Sequence, residues 1–193
     1  MSNLGRVFPF WLQWLLANMI AGLLTRATHP RTLLLMGLIF GLSQWIVLFP
    51  ALRSRTWLTN ALWLPATAIS GLVGYLLIAS AGVHLLGPVL IALTSPYENS
   101  ASHLIFLTFL WGTIGLGQWP LLRDTLPHTG RWILISAAGG MTGALIDLAL
   151  QAIGVDMHRS LLAGMLAGAG YGVVTGRFLT RLCNKHLMQQ RGF

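Results

Sequence analysis

Solid apolar runs divide this chain, and they are too long for strands. Hydrophobic stretches fall near 7–24, 33–50, 57–79, 102–122, 132–153 and 160–178. Each comes close to the roughly 20 residues with which a helix, rising about 1.5 Å per residue, crosses a hydrocarbon core about 30 Å thick. A membrane barrel would alternate polar and apolar residues with period two, and an open sheet would leave backbone groups unpaired in lipid. The pattern predicts an all-α fold, a polytopic transmembrane helical bundle of about six spans in a single integral membrane domain, 1–193. A seventh apolar stretch, 80–95, is short and broken by His84, Gly87 and Pro88. It opens an outer insertion at 80–101, which reads as a re-entrant or interfacial piece or as an outward extension of the third helix. Residues 179–193 read as a cytoplasmic tail.

Composition points the same way. Hydrophobic residues make up 55% of the 193 and charged residues only 8%, against roughly 25% charged in a soluble domain. So few charges cannot coat a globule of this size. The net charge of +8 sets topology and touches anionic lipid rather than nucleic acid, because no aromatic-rich basic sheet, zinc spacing or basic amphipathic arm accompanies it.

Orientation follows from Lys and Arg in the connections. With six spans, one side holds Arg6, Arg53, Arg55, Arg123, Arg131, Arg177, Arg181, Lys185 and Arg191, and the other only Arg26, Arg31 and Arg159. Both termini are expected in the cytoplasm, with the protein multi-pass in the cell (inner) membrane. Trp11, Trp14, Trp45, Trp57, Trp119 and Trp132 fall near the same ends and are expected as headgroup anchors. The first run follows Arg6 as a secretory signal would. It is longer than a usual signal core and no small-x-small site follows, so an uncleaved span is expected. Cys183 is the sole cysteine and lies in the tail, which excludes an internal disulfide.

Two helices carry nearly the same phrase. Gly41-Leu42-Ser43-Gln44-Trp45 recurs as Gly115-Leu116-Gly117-Gln118-Trp119, each with a Leu three residues past the Trp, then basic residues, then Trp57 or Trp132 opening the next span. A fainter copy, Gly172-Val173-Val174-Thr175-Gly176, puts Thr in place of Gln. Helices one, three and five begin with Trp14, Trp57 and Trp132. The chain thus reads as three parallel-repeat hairpins, an arrangement used in transporters and equally the product of duplicating any membrane scaffold.

Gln-Trp followed by Leu and Arg, then a Trp-led helix, resembles a group of small polytopic proteins of cyanobacteria and related bacteria, whose last helix reads like Tyr171–Gly176 here. The likeness covers most of the chain outside 80–100. The first copy departs from it, with Phe49 and Pro50 where the second has Arg123 and Asp124. The resemblance implies the helical architecture and brings no catalytic residue with it.

Few residues could carry function. Gly164, Gly168, Gly172 and Gly176 recur every four residues, as do Gly139, Gly143, Asp147 and Gln151. Such stripes let backbones approach closely, so helices five and six are expected to pack tightly on each other or on another subunit; a glycine-lined substrate path is the alternative. Asp147 is the one acidic residue inside a span, roughly 22 Å up its helix from Trp132. A carboxylate there must face protein or water. It is either a proton, cation or substrate site, or a group reaching the headgroups or pairing with Arg159 or His158. Gln44 and Gln118 are expected as interhelical clamps, with Asn18 in the same layer. The candidate intramembrane polar site is therefore Asp147, Gln151, Gln44 and Gln118. If the last helix runs on, Arg177, Arg181 and Lys185 form a cationic stripe.

Enzymatic chemistry finds no support. Ser43 lies beside Gln44, but His29, His84, His103, His128, His158 and His186 fall in loops or at helix ends, away from any nucleophile. No metal ligand set, haem pair or phosphate loop is legible, and no cofactor is expected. Two functions remain. The first is a non-catalytic membrane component: a scaffold, assembly factor or small subunit whose partners are the lipid bilayer, other membrane subunits or itself. The second is a small-solute transporter or substrate-binding subunit using Asp147. The substrate-binding subunits of energy-coupling-factor vitamin importers are similar in size, span count and basic charge, in composition alone. Small size and short loops favour the first.

Overall fold

A computed structural model describes residues 9–28, 33–52, 57–81, 98–123, 126, 129–155 and 160–190. Among them six α-helices follow one another, with no strand: α1 Phe10–Thr28, α2 Leu33–Leu52, α3 Trp57–Ala81, α4 Glu98–Arg123, α5 Trp132–Ala152 and α6 Leu161–Gln190, with a 3-10 turn Thr129–Arg131 before α5. The apolar runs locate all six. The 82–97 part of the expected outer insertion lies outside the described residues, while 80–81 close α3 and 98–101 open α4. The last helix departs most from expectation. It runs on to Gln190 because Leu179 and Leu182, beyond the apolar run, are themselves buried against Trp14, Leu122 and Trp132.

Helix ends follow local chemistry. Ser160 caps α6, its Oγ accepting the Ala163 N–H at 3.1 Å. Beyond α5, Gly154 takes the left-handed conformation, φ 84°, while Val155 N–H returns to Leu150 O at 3.0 Å and Gly154 N–H to Gln151 O at 3.0 Å. Glycine fits that turn without a Cβ penalty.

Each helix packs on its neighbours in sequence, and α6 packs on α1, closing a ring. The ring is tightest at that closure. A Cβ on Gly22 would run into the Gly164 carbonyl, and one on Gly168 into the Asn18 carbonyl; Gly172 meets Leu15 and Gly176 meets Trp14. The four-residue glycine stripe of α6 therefore faces α1, not α5 as expected. The stripe of α5 packs on another face of α6, Gly139 against Tyr171 and Gly143 against Ala167.

Three helices contain a stretch long and apolar enough to cross a membrane: Ala61–Ile78, His103–Arg123 and Thr129–Ala152. The exterior is apolar, with Ile20, Ile46, Ile69, Leu76, Leu134 and Leu145 all at least half exposed, and the interior holds the polar groups. Tryptophan departs from its expected place. Trp14 and Trp132 are wholly buried rather than set at a surface, whereas Trp11 is exposed. Aromatic rings of α2, α4 and α6 meet at the centre: Phe40 is 4.8 Å from Trp111 and Trp111 is 4.0 Å from Tyr171, between ring centroids.

Candidate functional site

Two polar layers lie inside the bundle. The first is built on the repeated phrases. Gln118 Nε2 donates to Gln44 Oε1 (3.1 Å) and to Thr67 Oγ1 (2.8 Å), while its Oε1 accepts from the Trp132 indole (3.2 Å). Gln44 Nε2 donates to Asn18 Oδ1 (2.9 Å). On α6, Thr175 takes the matching role, accepting from the Trp14 indole at 2.9 Å. Gln44, Gln118, Thr175, Asn18 and Thr67 are all fully buried. The expected pair of clamps is thus one continuous network with Asn18 in it, and a satisfied buried amide network fixes helix register.

One regularity escaped the sequence. Trp14, Trp63 and Trp132 are each followed four residues later by Asn18, Thr67 or Ser136, and eight later by Gly22, Gly71 or Gly140. The first glycine of each phrase packs on the residues one and four beyond that Trp: Gly41 on Leu64 and Thr67, Gly115 on Ile133 and Ser136, Gly172 on Leu15 and Asn18. Trp57 opens α3 as expected, and within α3 it is Trp63 whose following residues meet the phrase glycine as those after Trp132 do. The Trp63 indole N–H is buried without an acceptor.

The second layer is charged. Asp147 of α5 is 1% exposed. Its Oδ2 accepts from Arg26 Nη2 of α1 at 3.0 Å and lies 3.4 Å from His103 Nε2 of α4. The partners named in advance, Arg159 and His158, lie outside the described residues. Arg26 was placed among the outer flanking charges because it ends an apolar run; in the fold it turns inward from the last turn of α1. His103, placed at a helix end, sits in the second turn of α4 and reaches the carboxylate. Gln151 does not join them: it is exposed. Each four-residue step leaves about 40° of rotation on a helix of 3.6 residues per turn, so three steps from Gly139 carry Gln151 off the inward face.

Beside Asp147 lies a cavity of about 180 Å³ walled by Phe40, Leu107, Trp111 and Tyr171, with Gly139, Gly140, Gly143, Gly164 and Gly168 among its lining. Gly139 and Gly143 of one stripe and Gly164 and Gly168 of the other thus both pack closely and line this hollow. Asp147 Oδ1 is buried with no hydrogen-bond partner. A buried carboxylate oxygen left unpaired is costly, by about 1–3 kcal/mol or more. Tyr171 joins the layers: its ring lines the cavity and its hydroxyl meets Ser136 Oγ at 3.0 Å. Gln44 and Gln118, with bonds of their own, are not part of this site. Among the described residues no cluster of His, Cys, Asp and Glu could hold a metal ion.

No model of a known protein family matches this chain, no curated protein matches its sequence, and no solved structure matches its fold.

Proposed function

We propose that this chain is a non-catalytic bundle of six membrane-spanning helices that holds a small solute beside Asp147, as a transporter or as a substrate-binding subunit. The observation that carries the proposal is an aromatic, glycine-lined cavity beside the buried cluster of Arg26, His103 and Asp147. Ligand pockets combine this kind of apolar lining with a few placed polar groups. A scaffold has no need of a hollow beside a buried charge cluster, so solute binding takes precedence over the scaffold role that size and short loops favour.

Spanning by all six helices is supported by the inversion of the bundle, apolar outside and polar within. The residues that α1 and α6 turn inward are polar or small, among them Asn18, Thr175 and the glycine stripe. Outward they present Leu16, Ile20 and Leu24 or Leu161 and Leu162. The matching contacts of the three phrases support a threefold repeat of helix pairs. The arginine bias supports cytoplasmic termini, with the bundle in the cell membrane.

The test is to purify the protein in mild detergent and analyse it by native mass spectrometry. A small molecule released on unfolding supports solute binding. A stable complex with another membrane protein and no small molecule returns the scaffold role to first place. Reporter fusions at the two ends test the topology, and ends on opposite faces exclude six spans.

A further inference from the structure

We propose that the seam between α1 and α6 carries a headgroup site for an anionic phospholipid, its phosphate held by Arg177 and Arg181 and its glycerol against Trp11. The site rests on the membrane-spanning reading above and is independent of solute binding beside Asp147.

Of the cationic stripe expected on α6, Arg177 and Arg181 stand exposed, one helical turn apart. Gly176 lies against the Trp14 ring and the Trp11 carbonyl, which sets Arg177 beside the first turn of α1. Trp11, Arg177, Thr180 and Arg181 line a surface groove of about 370 Å³ there. Thr180 spends its hydroxyl hydrogen on the Gly176 carbonyl at 2.8 Å, so the guanidiniums are left to supply the donors.

The counter-charge has to come from outside the chain. Among the described residues the ion pairs are those of Asp147 with Arg26 and His103, and neither arginine of the groove has a carboxylate partner. The chain holds 12 Lys and Arg against 4 Asp and Glu, too few acids to neutralise its cations. Guanidinium forks match phosphate oxygens in geometry as well as in charge.

Depth and lining favour a lipid over a free phosphate. The groove lies where the apolar run of α6 ends, and the Trp11 ring beside it is exposed. Indoles favour the headgroup zone of a bilayer. A free phosphate has no use for that ring, whereas a phospholipid rests its glycerol and first methylenes on it.

The test takes the full chain in mild detergent, titrates it with phosphatidylglycerol or phosphatidylcholine of identical acyl chains, and counts retained lipid by native mass spectrometry. Phosphatidylglycerol should be held about 25-fold more tightly, about fivefold for each arginine. The double variant Arg177→Gln, Arg181→Gln should erase most of that preference, and Trp11→Ala should weaken retention of both lipids. Arg123→Gln with Arg131→Gln removes the same charge elsewhere and should leave the preference intact. An equal loss in that control assigns the preference to overall charge and overturns the site. Equal retention of the two lipids by the unaltered protein overturns it as well. So does displacement of phosphatidylglycerol by inorganic phosphate or glycerophosphoglycerol, which would make the groove a site for free phosphate esters. An acidic protein lost from the double variant while its lipid retention holds would assign the patch to that partner instead. Protein that stays in solution once detergent is removed fails the membrane reading; detergent-dependent protein without a headgroup preference fails this site alone.

Discussion

Arg26, in the last turn of α1, reaches Asp147, in the penultimate turn of α5, at 3.0 Å, across 121 residues of sequence. The carboxylate is almost wholly enclosed, whereas the guanidinium side chain keeps 22% of its surface exposed. Removing one partner of such a pair strands the other. Asp147→Ala or Arg26→Ala should cost about 2–4 kcal/mol, at or below the range for fully buried pairs because Arg26 is part-exposed. The double variant Arg26→Ala, Asp147→Ala should lose less than the sum of the two single losses. Denaturant unfolding in mixed micelles measures all three, and additive losses would remove the coupling.

The α1–α6 closure predicts a second effect. Gly168 faces the backbone at Asn18, so Gly168→Val has no flexible neighbour to displace. Overpacking of this kind costs about 1–3 kcal/mol, and the melting temperature should fall. Gly130, with nothing within 4 Å of its would-be Cβ, should accept Ala with little change, which serves as the control.

Gln118 uses both amide hydrogens and its oxygen. Gln118→Leu strands the Trp132 indole and should destabilise by about 1–3 kcal/mol. The double variant Gln44→Leu, Gln118→Leu should lose less than the sum of the two single losses, since the residues bond to each other. Strict additivity in a thermal-unfolding series would contradict the shared network.

Cys183, on the extension of α6, packs against the apolar cluster around Leu179 and Leu182, and burial pushes its thiol from the usual 9.0 up to about 11. Only the thiolate reacts. Two pH units mean that at pH 8 maleimide alkylation should run about a hundredfold slower than on the denatured chain. A raised folded value favours the neutral thiol, so the folded state loses stability only as pH rises from about 9 through 11. Equal alkylation rates before and after denaturation would place the thiol in water.

The helices were legible because apolar runs near 20 residues leave few other structures open. The clamp residues were legible too, since Gln44 and Gln118 repeat in a shared phrase. Partners were not. Nothing near Asp147 in sequence indicates Arg26, which the closing of the ring brings to α5, or His103, which lies 44 residues back on the preceding helix. A charge that ends an apolar run looks the same whether it turns out to water or in to a carboxylate. Helix length at the end of α6 was hidden for a different reason: Arg177 and Arg181 mark the end of hydrophobicity, and the helix continues on the strength of two leucines.

Closure of α6 on α1 has a consequence for biogenesis. α1 leaves the ribosome well before α6, and it must wait for α6 before its Trp14 indole finds Thr175 and its glycine face finds another backbone. During that interval α1 offers its Trp14 indole and a bare strip of main chain to whatever lies nearby, so an insertion chaperone or a second nascent chain would meet it there first. A chain stopped before residue 160 would keep that vacancy open and be cleared by quality control.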